Sequence, residues 1–177
     1  MVKLLDLLDK VLVAISVLTL VGMMLLIMVS VVGRYVFNAP VPDDVVMTEL
    51  AMTALVFLPL SAVQAAREHV FVTIFTEWMS NKTKVIMETF GICVGLLVFS
   101  VFTVATFQDF YQAFEAGAYM DGDLELPESP ARFIIFFGIT IFAARLLIDA
   151  IQSIIGIADG TAVAARSEED RALETEV

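Results

Sequence analysis

Few side chains here are equipped for chemistry, and most of those stand at the edges of long apolar runs. His69 is the single histidine and Cys93 the single cysteine. One chain therefore offers no bis-histidine haem site, no zinc cluster and no disulfide of its own. Neither GxSxG nor HExxH occurs, and Ser61 and Ser100 have no histidine nearby to act as a base. No catalytic, cofactor-binding or metal-ligating set emerges, and an enzyme is not expected. What remains is a sparse group of charges, with Glu49, Arg34, Arg145 and Asp149 inside or beside apolar sequence.

An ionisable group within lipid is a candidate functional residue. Glu49 is the foremost, about one helical turn inside its apolar run. It is either a proton or cation site, or a structural partner for Arg34 or for a group on another chain. A carboxylate so near the interface keeps its water, which favours the structural role. Arg145 and Asp149 are spaced i,i+4 and are expected to pair locally and snorkel.

Four apolar runs must position these residues: Val11–Val32, Val45–Val63, Val85–Phe107 and Ala131–Ile151. Each is about 20 residues long, the length at which a helix crosses a hydrocarbon core of about 30 Å. Composition agrees, at 59% hydrophobic residues with a mean hydropathy of +0.90. The first run exceeds a signal-peptide core and lacks a small-x-small cleavage site, so it is expected to remain as a helix. The fold class is an all-α membrane protein, a four-helix transmembrane bundle over residues 1–157. Residues 158–177 read as a disordered, acidic cytoplasmic tail.

Basic residues set the orientation. Lys3, Lys10, Arg67, Lys82, Lys84, Arg166 and Arg171 crowd one side, against Arg34 and Arg132 on the other. The positive-inside rule then places both termini in the cytoplasm. Acidic residues concentrate in the tail and in the outward loop Gln108–Pro130. Together these hold nearly all of the formal net charge of −11. In that loop, Asp121, Asp123 and Glu125 are candidate partner contacts, although solvated acids are the commoner case.

Shorter elements join the spans. Val2–Lys10 is amphipathic and is expected to form an interfacial helix running into the first span. Val70–Met79 carries large apolar residues at helical spacing, and Trp78 is its expected interfacial anchor. Asp43-Asp44 suits a helix N-cap, and Pro59 is expected to kink the second span. Phe107, Phe110, Tyr111, Phe114 and Tyr119 form an expected outer aromatic belt, with Gly91 and Gly95 a small-xxx-small face. No span carries two buried acids, no pair of broken half-helices appears and no inverted repeat is evident. A self-sufficient secondary transporter commonly needs such features.

Several short motifs carry a resemblance. Arg34-Tyr35-Val36-Phe37-Asn38-Ala39-Pro40 closes the first span, and Glu49 opens the second. Arg67-Glu68-His69-Val70-Phe71-Val72 follows, then Leu124-Glu125-Leu126-Pro127, with Gly138 in the fourth span. In this order they resemble the small, DctQ-like membrane subunit of tripartite ATP-independent periplasmic (TRAP) transporters. The likeness runs from about Val11 to Ile151. This chain departs from the family where a Trp commonly precedes the second span, and at Thr73, where an acid is usual.

The resemblance implies a bacterial inner-membrane subunit of an ion-coupled symporter. In such systems a large membrane subunit carries substrate and sodium, and a periplasmic substrate-binding protein delivers an organic acid. The small subunit packs on the large one and helps present a docking surface. Arg34, Glu49, Arg67, His69, Trp78, Asp121, Asp123 and Glu125 are then structural or partner-contact candidates. The expected surroundings are those partners and the lipid bilayer, with no cofactor and no nucleic acid. The competing reading is a self-sufficient homo-oligomeric transporter or channel using Glu49. A haem-bearing membrane anchor is disfavoured by the lone histidine.

Overall fold

The computed structural model describes residues 2–65 and 81–159. The Val70–Met79 stripe and the acidic tail beyond residue 159 lie outside the described residues, as do Arg67, His69 and Trp78. The described chain is helical: α1 (Val2–Phe37), α2 (Asp44–Phe57), α3 (Leu60–Ala65), α4 (Asn81–Ala116) and α5 (Ser129–Ala158). Four stretches are long and apolar enough to cross a membrane, with α2 and α3 together forming one of them. Each expected span lies inside one of these stretches. α1 and α4 are longer than expected, at 36 residues each. At a rise of about 1.5 Å per residue, both overrun the ~30 Å hydrocarbon core. The amphipathic N-terminal residues are continuous with α1 and do not form a separate element.

Local chemistry explains the breaks. α1 stops at Asn38, which adopts a left-handed φ of 50°, and the Ala39 N–H turns back to donate to the Gly33 carbonyl at 3.1 Å. A Cβ on residue 33 would lie 2.6 Å from that Ala39 carbonyl oxygen, so glycine permits the reversal. Pro59 does more than kink the second span, because helix assignment lapses across Leu58 and Pro59. Its ring supplies no N–H and crowds the preceding turn. Regular bonding resumes at Val63 N–H to Pro59 O, 3.1 Å. Gly138 of α5 lies against this break. A Cβ there would collide with the Phe57 carbonyl group, 2.8 Å from its carbon.

α5 is the central helix. Of its most apolar stretch 39% is buried, against none of the corresponding stretch of α4. α2 and α3 pack between α1 and α5, and a small core of Leu12, Ala54, Leu58 and Ile141 fills the junction. α4 lies along α5 through an aromatic ladder. Phe99 meets Phe142 at 4.5 Å between ring centroids, Phe107 meets Phe136 at 5.4 Å, and Phe110 meets Phe133 at 5.4 Å. The expected aromatic belt is therefore partly a helix–helix seam, with edge-on and tilted rings contributing beyond their buried area. Gly95 also faces α5, since a Cβ there would lie 3.8 Å from Leu146, whereas nothing approaches within 4 Å of a Cβ at Gly91.

Candidate functional site

Polar chemistry collects at the two ends of the bundle. Between them, several hydroxyls are satisfied by their own helices, while the buried Ser61 Oγ finds no hydrogen-bond partner among the described residues. Ser16 donates to Leu12 O at 2.8 Å, Ser100 to Leu96 O at 2.6 Å, Thr103 to Phe99 O at 2.8 Å and Thr140 to Phe136 O at 2.7 Å. Such back-bonding uses the hydroxyl's donor within its own helix. Among the described residues no group of three His, Cys, Asp or Glu is arranged to hold a metal ion.

At the end opposite the termini, Asp43 and Asp44 work in different directions. Asp43 is not the side-chain N-cap of α2 that its position suggests. It adopts φ 53°, and no capping hydrogen bond forms. Its carboxylate instead accepts the backbone N–H of Asp123 at 2.9 Å and of Leu124 at 2.5 Å. Asp44 occupies the first turn of α2, where the helix dipole favours an acid. It accepts from Ser30 Oγ, and its nearest cation is Arg34 Nη2 at 3.5 Å. The ion pair of Arg34 is thus with Asp44 and not with Glu49, for which the sequence leaves it open as one of the partners. Arg34 reaches the nearer carboxylate one turn before Glu49. Exposed as it is, the pair contributes about 1 kcal/mol or less.

The connection between α4 and α5 is shorter than the expected loop Gln108–Pro130. α4 continues to Ala116, so Gln108 and Asp109 are helical and the connection proper spans residues 117–128. It closes on itself through Met120 N–H to Leu126 O at 2.8 Å and Glu128 N–H to Ala118 O at 2.9 Å. Gly117 and Glu125 take the left-handed turns, at φ 58° and 46°. Asp121, Asp123 and Glu125 are all exposed on this connection.

Glu49 lines a cavity of about 270 Å³ between α2, α4 and α5, with Asp109, Glu128 and Arg132 also in its wall. Arg132 is engaged by Glu128 at 2.7 Å. Glu49 therefore shares this end of the bundle with two further carboxylates. The cavity is open and negatively charged, suited to a cationic group.

The end holding the termini contains the unforeseen feature. Arg145 does not pair mainly with its helical neighbour Asp149, whose Oδ1 lies 3.9 Å from Nε. Its Nη1 reaches α1, at 2.8 Å from Asp6 and 3.5 Å from Asp9. Gln64 of α3 donates to Asp149 Oδ2 at 3.1 Å, so three helices are tied together. The side chain of Asp9 is 7% exposed and that of Asp6 46%. The i,i+3 spacing of Asp6 and Asp9 marks one helical face, but nothing in the sequence joins that face to Arg145.

These observations define a multi-pass helical membrane protein whose described bundle gathers its charged groups at its ends around a largely apolar middle. Residues 23–156 match the family of tripartite ATP-independent periplasmic transporters, DctQ component, and the chain belongs to that family. It is thus the small membrane component of a transporter. No curated protein matches the chain.

Proposed function

We propose that this chain is an accessory subunit. It packs on a large transport subunit in the bacterial inner membrane, with both termini cytoplasmic, and helps dock a periplasmic substrate-binding protein for ion-coupled uptake of an organic acid. The observation that carries the reading is the imbalance of burial. α4 is a full-length apolar helix with no residue of its most apolar stretch fully buried, although one side of it packs on α5. A second membrane protein covering α4 gains packing that lipid alone supplies less specifically. The exposed carboxylates Asp121, Asp123 and Glu125 lie at the end assigned to the periplasm, where a soluble partner would meet them.

Co-purification tests the proposal. Tagged chain extracted in mild detergent from its native host is expected to retain a much larger multi-span protein in fixed ratio. Recovery only as a homo-oligomer, with cation flux lost on Glu49→Gln, would support the self-sufficient transporter instead. The Glu49 cavity, with its further carboxylates, is the feature that keeps that alternative worth testing.

A further inference from the structure

We propose that Asp9, Ser61 and Arg145 form a buried water-binding site between α1, α3 and α5, at the end of the bundle that holds the termini. The bound water is the joint that ties the first span to the second.

Three helices stack their side chains in layers there. Leu12 of α1, Leu58 at the end of α2 and Ile141 of α5 belong to one buried cluster. One helical turn toward the termini stand Asp9, Ser61 and Arg145, and one turn further Asp6, Gln64 and Asp149. α1 runs against α3 and α5, so its numbers fall as theirs rise. Contacts fix this register, since Arg145 Nη1 lies 3.5 Å from Asp9 and Gln64 donates to Asp149 at 3.1 Å. The first layer is apolar, and the third meets solvent through the half-exposed Asp6. The middle layer is polar yet enclosed, with Asp9, Ser61 and Arg145 only 5%, 1% and 9% exposed.

Among the described residues, every buried side-chain polar atom without a hydrogen-bond partner belongs to that middle layer. These atoms are both carboxylate oxygens of Asp9, Ser61 Oγ and Arg145 Nε. The ion pair of Asp9 with Arg145 leaves both oxygens without a hydrogen bond. Ser16 and Ser100 bond their own helices, and Ser61 does not.

The four atoms select the ligand. Asp9 needs donors, Arg145 Nε needs an acceptor, and a hydroxyl such as Ser61 serves as either. A metal cation accepts nothing from Arg145, and an anion is repelled by Asp9. A small neutral molecule that both donates and accepts suits all of them. Water is that molecule, and a buried one makes about three bonds to such groups. It joins α1 to α3 beside the Pro59 break, where helix assignment lapses in the second span.

The test turns on a sign. Without water, Ser61 Oγ is a buried hydroxyl with nothing to bond, and removing it stabilises the fold. With water, Ser61→Ala takes away one of the groups that hold it. In the full chain purified in detergent, Ser61→Ala should therefore raise the unfolding equilibrium constant at least ~3-fold. Combined with Asp9→Asn, the effect should fall short of the product of the two single effects, because both changes act on one water. Replacing sodium by choline should leave the melting temperature unchanged. Cryo-electron microscopy of the native membrane complex should show density about 2.7–3.2 Å from Asp9, Ser61 Oγ and Arg145 Nε. Unchanged or raised stability of Ser61→Ala, or fully multiplicative effects, would overturn the proposal. So would a resolved layer without that density, and a melting temperature that follows sodium would put a cation there in place of water.

Discussion

Arg145 is the residue on which most charge converges. It sits between the half-exposed Asp6 and the largely buried Asp9 and Asp149, and removing it leaves those two buried carboxylates without their cation. Breaking a buried ion pair from one side costs about 3–5 kcal/mol. Arg145→Ala should therefore unfold the purified chain far more readily, read as a large drop in thermal midpoint in detergent. Arg145→Lys should fall between, because a single ammonium lacks the planar fork that reaches two carboxylates. An alanine variant that melts like the wild type would show that the knot contributes nothing. Glu49 is the opposite case. It is exposed and lines an open cavity with other acids, so Glu49→Gln should change the stability of the isolated chain by less than about 0.5 kcal/mol. It should also leave the ratio of sodium to substrate in the whole complex unchanged. An altered ratio in proteoliposomes would return Glu49 to the transport mechanism.

At the scale of elements, the pairing of α2 with α5 depends on one glycine. The Pro59 break brings the Phe57 carbonyl against Gly138, where no Cβ fits without movement. Gly138→Val should destabilise the bundle by about 1–3 kcal/mol through overpacking, measured by thermal or denaturant unfolding in detergent. A neutral effect would mean that the two helices separate more freely than their contact implies. The elements themselves were legible from the sequence, since apolar runs of membrane-crossing length, Pro59 and the Asn38–Pro40 turn act locally. The ties between elements were not. Arg145 and Asp6 are 139 residues apart, and Asp43 and Asp123 are 80 apart. Helical spacing points only to i,i+3 and i,i+4 neighbours, which is why Asp149 looked like the partner of Arg145 and why Asp43 looked like a cap. Glu49 was placed at the right end of its helix, but its cavity is made by three helices whose mutual order no single run reveals.

At the scale of the whole molecule, the contrast between a central α5 and an α4 packed on one side only points to a partner. Gly91 lies on α4 with nothing within 4 Å of where a Cβ would sit, while Gly95 already faces α5. Gly91→Leu should accordingly leave the melting of the isolated chain nearly unchanged, yet reduce recovery of the large subunit in pull-downs. Loss of stability in the chain alone would place Gly91 inside the fold and not at a partner surface. The central claim is that the chain assists transport without providing a pathway of its own. The most direct measurement is uptake of labelled organic acid into proteoliposomes under an inward sodium gradient, with the substrate-binding protein added outside. Vesicles holding this chain alone should accumulate no more than empty vesicles, and those also holding the large subunit should accumulate substrate. Full, gradient-dependent uptake by the chain alone would contradict the account.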